Sequence, residues 1–225
     1  MLQLGPILLA LIYALVMFRF SAWRLKRQLD QTSSRLQDAE LQAQIDKMAG
    51  AMQVRDIPVY VQDIPTINGL AAPDGRVFIT QGFIDKYKLG EVSAGEIASV
   101  IAHELGHVAL GHSRKRMIDF SGQNAMRVAL GAILSRFLPG IGGIIANGLG
   151  SLLMAKLSRS DEFEADAYAT ALLLQSGLSV GAQMSLFEKL DKLTGNAGLS
   201  PAWLLSHPKA QDRIAAIKSN YVKWQ

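Results

Sequence analysis

Hydrophobic and polar positions divide the chain into sharply unlike stretches. Residues 2–20 are almost unbroken apolar sequence, interrupted only by Gln3, Gly5, Pro6 and Arg19. About 20 apolar residues suffice to cross a bilayer, so the pattern predicts one N-terminal transmembrane helix over 1–20. A cleaved signal peptide is the competing reading, but the stretch has neither a basic leading segment nor a small-x-small cleavage site after its apolar core. Arg19, Arg24, Lys26 and Arg27 all lie on the C-terminal side. By the positive-inside rule the remainder of the chain then faces the cytoplasm. Phe18, Phe20 and Trp23 fall where an interfacial aromatic belt is expected.

From 21 to 50 the pattern is polar and helix-favouring, with Leu25, Leu29, Leu36, Leu41, Ile45 and Met48 at irregular helical intervals. This predicts a juxtamembrane helix or linker, either in a weak coiled-coil contact or packed on its own domain. The periodicity then changes. Val59-Tyr60-Val61 and Arg76 to Thr80 are short β-type runs, with turn signals at Pro65, Asn68-Gly69 and Pro73-Asp74-Gly75. They predict a small antiparallel sheet. Helical period returns after Ser93, where Ile97, Val100, Ile101, Leu105 and Val108 form an apolar stripe. Ser93-Ala94-Gly95-Glu96 reads as a capping box that starts this helix. A second apolar segment, 128–155, is divided by Arg136, Pro139 and the glycines at 140, 142 and 143. Each piece is short for a membrane span, which predicts a helical hairpin buried in the domain or dipping into a membrane surface. The expected organisation is an anchor over 1–20, a linker over 21–50 and a catalytic domain over 51–225.

Composition narrows the function classes. A hydrophobic share of 49% in 225 residues is high for a soluble chain and agrees with a membrane component. The net charge of +4 comes with no basic stripe interleaved with aromatics, so nucleic acid is not an expected partner. The absence of cysteine excludes a disulfide framework, Cys-ligated zinc and a thiol nucleophile.

The chemistry concentrates in His103-Glu104-Leu105-Gly106-His107. On a helix, His103 and His107 stand one above the other on a single face. Two imidazoles so placed share one Zn²⁺, and Glu104 beside the first ligand can take a proton from a bound water. Catalytic zinc usually keeps three protein ligands, and Ser158 to Asp166 is the best source of the third. Glu162 and Asp166 share a helix face, while Glu164 is turned about 200° from Glu162. Glu162 as ligand and Asp166 as acceptor for a ligand imidazole N–H make a coherent pair. His112 lies five residues past His107, off that face, and reads as a packing or capping residue. The strand Arg76-Val77-Phe78-Ile79 is the candidate edge for pairing with extended substrate backbone, an interior strand being the alternative.

His103 to His107 with Gly111-His112, followed by Arg159-x-x-Glu162-x-Glu164-Ala165-Asp166, resembles the M48 family of membrane-associated zinc metallopeptidases. Asn68 to Thr80 and Ser206-His207-Pro208 through Arg213-Ile214 resemble further segments of that family, so the likeness covers roughly 51–220. It implies an α+β, mainly α, zincin domain of gluzincin type, with His103, His107 and Glu162 on Zn²⁺ and Glu104 as general base. It also implies two roles left open by the residues alone. His207 either reaches the zinc as an inhibitory ligand or caps the last helix. Arg213 either stabilises the oxyanion or pairs with Asp166 or Asp161. The expected protein is a single-pass, membrane-anchored zinc metalloendopeptidase acting on proteins or peptides in quality control. A bacterial inner membrane is the expected setting, with the catalytic domain cytoplasmic. The alternative is a membrane-tethered chaperone or interaction module with a latent zinc site. Members of the family with several spans differ from this single-span pattern, so their substrates are not carried over.

Overall fold

The computed structural model of the chain describes residues 4–115, 142–195 and 210–225. Helix α1 (Leu4–Thr32) leads into β1 (Ser33–Arg35), α2 (Ala39–Ala51), β2 (Val59–Gln62), β3 (Gly69–Ala71), β4 (Val77–Thr80), α3 (Gln81–Lys88) and α4 (Ala94–Ala109). Helices α5 (Gly142–Gln175), α6 (Val180–Gly195) and α7 (Ala210–Trp224) follow. The mainly helical α+β expectation holds, with one small sheet.

That sheet is mixed rather than antiparallel, with strand order β1-β2-β4-β3. β1 and β2 are antiparallel, β2 and β4 are parallel, and β3 and β4 are antiparallel. The predicted turn at Pro73-Asp74-Gly75 does close a hairpin, with Gly75 at φ +91°, a left-handed conformation open to glycine. What periodicity did not reveal is that the chain passes from β2 to the far edge before returning through β4. β4 is therefore an interior strand, buried at every position and paired on both sides. Its continuous apolar run Val77-Phe78-Ile79 is the pattern of a strand covered on both faces. The expected substrate edge at Arg76, Val77, Phe78 and Ile79 is thus corrected. The edge beside α4 is β3, where a Cβ added to Gly69 would lie 2.8 Å from Val100 Cγ1.

The segment 21–50 also differs from the expected linker helix. α1 carries on to Thr32, β1 joins the sheet, and Asp38 then caps α2 by accepting from the Leu41 N–H at 3.0 Å. Leu41, Ile45 and Met48 are buried in the main core, so this segment packs as part of the domain. α1 is one 29-residue helix that docks through its last turns, where Leu29 packs with Ala72 and Phe78, and Asp30 pairs with Arg76 at 2.7 Å. Upstream, Leu8, Leu9, Leu11, Leu15 and Val16 are 57–69% exposed. Among the described residues, no helix is long and apolar enough to cross a membrane. Of the expected 128–155 hairpin, residues 142–155 are helical and run on without a turn as the start of α5. Residues 128–141 lie outside the described residues.

α4 is the buried axis of the domain, packed by α2, α5 and α6 and by the sheet. Its capping box forms as expected, with the Ser93 Oγ accepting from the Glu96 N–H at 3.2 Å and the Ser93 N–H donating to Glu96 Oε2 at 2.7 Å. Lys189 and Ser185 of α6 also donate to the Glu96 carboxylate, at 2.9 and 2.6 Å. The start of α4 is thereby tied to α6. Its far end meets α5 at Gly106, where an added Cβ would stand 2.9 Å from the Ala165 carbonyl oxygen and 3.0 Å from the Ala165 Cα. Both obstacles are backbone, so neither can swing away. Gly106→Ala is expected to cost about 1–3 kcal/mol by forcing α4 and α5 apart, and a chemical-denaturation curve measures it. An unchanged midpoint would show that the two helices are not in this close approach.

Candidate metal centre

α4 places His103 and His107 one turn apart with their rings edge-to-face, at a centroid distance of 4.7 Å. The two Nε2 atoms converge to 3.1 Å. From α5, Glu162 brings Oε2 to 3.4 Å from the His103 Nε2 and Oε1 to 3.4 Å from the His107 Nε2. All three side chains are 1–2% exposed. Ligand atoms at about 2.0–2.1 Å from a tetrahedral Zn²⁺ stand about 3.3–3.4 Å apart, so these separations fit the edges of such a site. Among the described residues, His103, His107 and Glu162 form a group able to hold a metal ion.

A charged arm holds His103 from behind. Its Nδ1 lies 2.9 Å from Asp166 Oδ1, one turn beyond Glu162 on α5. Asp166 in turn accepts two bonds from Arg213 of α7, from Nε at 2.6 Å and Nη2 at 2.7 Å. Arg213 Nη1 also reaches Glu162 Oε2 at 3.3 Å, and the guanidinium stacks over Phe187 of α6, 4.6 Å from its centroid. Burial pushes the Asp166 carboxyl up, but Arg213 and then His103 outweigh it and hold it below the usual carboxylate range. Burial opposes charging of His103 as well, yet Asp166 and Glu162 prevail and raise it to about 9. His107 moves the other way. Burial dominates there and lowers it to about 4.

A second arm reaches His107. Its Nδ1 is 3.0 Å from the Nδ1 of His112, whose Nε2 is 3.3 Å from Glu164 Oε2 and 3.8 Å from Asp161 Oδ1. His112 is 3% exposed. The sequence reading of His112 as a packing or capping residue off the ligand face did not show which neighbour it packs against. The helix ends at Ala109, and Gly111 at φ +71° turns the chain so that His112 folds back. Gly111 was the signal available, because glycine just past a helical run marks a left-handed terminus.

Glu104 is 1% exposed and faces the sheet, with its Oε1 3.2 Å from where a Cβ on Gly69 would stand. Beside it a cleft of about 300 Å³ is lined by His107, Val108, Gly111 and residues 72–75 of the β3–β4 hairpin. The structure thus gathers His103, Glu104, His107, Glu162, Asp166 and Arg213 at one place. Of the pairings open to Arg213, the one with Asp166 is formed. Val77, Phe78 and Ile79 lie in the interior strand β4 with Arg76 just before it, and His207 lies outside the described residues.

The profile described as Peptidase family M48 matches residues 35–221, which takes in α2 and the last residue of β1. Metalloprotease LoiP of Escherichia coli (strain K12) is 33% identical over 160 residues, covering 68% of this chain and 58% of that protein. Metalloprotease YcaL of the same strain is 34% identical over 155 residues, 68% of this chain and 57% of the relative. The mitochondrial metalloendopeptidase OMA1 of Schizosaccharomyces pombe is 31% identical over 161 residues, 68% of this chain and 43% of that protein. The chain therefore aligns with 43–58% of the length of these relatives. With the match running through both the histidine helix and the carboxylate helix, the chain belongs to peptidase family M48.

Proposed function

We propose that the protein is a zinc-dependent endopeptidase held at a membrane by α1. The observation that carries the peptidase reading is the convergence of two imidazoles and one carboxylate at tetrahedral spacing, with Glu104 beside them on the same helix. Zn²⁺ at His103, His107 and Glu162 would act as a Lewis acid, acidifying a water and polarising the scissile carbonyl. Glu104 would take the proton of the attacking water and return it to the leaving amine. Asp166 keeps the proton of His103 on Nδ1, leaving Nε2 free to bind metal. Substrate backbone pairs with β3. In its ladder with β4, the bonded pairs Asn68–Thr80 and Ala72–Arg76 alternate with Gly69 and Ala71, whose N–H and C=O groups point to the free edge. Such pairing selects extended chain over particular side chains, which suits removal of unfolded segments in quality control.

α1 supports the membrane part of the reading. Its exposed leucines and Val16 form an apolar surface that water does not favour, with Trp23 and Arg27 stacked 5.5 Å apart just beyond. The expected topology keeps the domain on the cytoplasmic side.

Three outcomes are expected. Glu104→Gln should lower casein cleavage by about 10²–10⁴-fold while one zinc per chain remains, measured by peptide release and metal analysis. Retained cleavage would exclude Glu104 as the base. For the metal-free protein, the raised His103 contributes stability in full below pH 6.5 and loses it as pH rises through about 9. The lowered His107 removes stability as pH falls from 6.5 towards 4, because the unfolded chain then binds more protons. The melting temperature should therefore peak near pH 6.5, and zinc should abolish the alkaline fall by keeping His103 neutral. Finally, the full chain should stay with membranes through carbonate washing and residues 24–225 should not. Release of the full chain into the supernatant would remove the anchor from the reading.

A further inference from the structure

We propose that His112 is the positioning residue for His107, an imidazole relay that sets which nitrogen of His107 faces the metal. The proposal rests on the zinc reading and extends it to residues that the histidine motif does not include.

His107 and His103 have the same task but different surroundings. For His107 to offer Nε2 to a metal, its proton must sit on Nδ1, and that buried N–H needs an acceptor. His103 has a carboxylate in this place. His107 has another imidazole, with the two Nδ1 atoms 3.0 Å apart. An imidazole accepts only through an unprotonated nitrogen, so His112 must hold its own proton on Nε2. That Nε2 faces carboxylates, Glu164 Oε2 at 3.3 Å and Asp161 Oδ1 at 3.8 Å. Each step fixes the next. The carboxylates select the Nε2–H form of His112, which leaves Nδ1 as acceptor, which places the His107 proton on Nδ1, which frees the His107 Nε2.

Local structure explains why these residues meet. Gly111 turns the chain back at the end of α4, and His112 lies buried between His107 of α4 and Glu164 and Asp161 of α5. Asp161 and Glu164 flank Glu162 on α5, so the turn that supplies the third ligand also supplies both groups facing His112. Glu164 is 56% exposed at its side chain, yet its carboxylate bends inward to the imidazole. Lys115 sits 3.8 Å from Asp161 and faces the same cluster.

The test is zinc affinity of the full chain in detergent, by competition with a chromogenic chelator, with the metal-free melting temperature beside it. His112→Asn places an amide oxygen near the position of Nδ1 and keeps the acceptor. His112→Gln places its amide near Nε2 and loses it, and His112→Phe fills the crevice with no acceptor at all. Loss of such an outer-shell partner typically weakens metal binding about 10–100-fold. His112→Phe and His112→Gln should show that loss, while His112→Asn stays close to wild type even where melting temperatures are alike. His112→Phe binding zinc as wild type does, or His112→Asn falling as far as His112→Gln, would overturn the relay. Should His112→Phe not fold, the contrast between Asn and Gln decides alone. Wild-type protein that binds no zinc would overturn the peptidase reading and the relay with it. Zinc bound equally by wild type and all three variants would overturn the relay only.

Discussion

Arg213 is a charged side chain with 1% exposure, and the centre is arranged around the need to keep that charge paired. Removing a guanidinium from water costs several kcal/mol, and only good geometry with further hydrogen bonds offsets it. Here the two parallel bonds to Asp166, the contact with Glu162 and the face of Phe187 supply that geometry from two other helices. Asp166 then holds His103, and Glu162 stands between both imidazoles. α4, α5, α6 and α7 are therefore joined through one polar cluster inside an otherwise apolar core. Among the described residues, Glu104, Glu162 and Asp166 bring three carboxyl groups to the centre beside one guanidinium, and a divalent cation would make up the formal difference.

The two imidazoles are supported by opposite means. His103 leans on an ionised carboxylate that Arg213 keeps charged, which makes its ring strongly basic. His107 leans on another imidazole, and burial holds its own ring well below the usual histidine range. The ring of His103 is thus the more basic of the two. His107 borders the cleft, next to the hairpin residues 72–75. The lack of a Cβ at Gly69 and Gly106 allows the sheet edge and α5 to close on the motif helix from two sides.

Much of this was legible in the residues. The capping box, the apolar stripe of α4 and the four-residue histidine spacing each follow from helical period, which is local and strong. Glu162 and Asp166 were found by the same rule, applied to a helix fifty-odd residues downstream. What failed was long-range. Three-residue strands such as Ser33–Arg35 and Gly69–Ala71 carry too little pattern to reveal sheet order, so the parallel pairing of β2 with β4 stayed hidden. The contact of His112 with His107 and Glu164 stayed hidden as well, because it depends on the chain turning at Gly111. Sequence did register that Arg213 has acidic partners, but choosing Asp166 over Asp161 depended on where α7 docks.

The order of these residues along the chain has a consequence for biosynthesis. His103, Glu104, His107 and His112 leave the ribosome first, Glu162 and Asp166 follow after an interval, and Arg213 comes last. Until it arrives, Asp166 and Glu162 lack the guanidinium that contacts both, and α5 is not yet tied to α7. A growing chain therefore carries His103, Glu104 and His107 in an arrangement that is not yet braced, and the charged cluster closes only once the last described helix has been made.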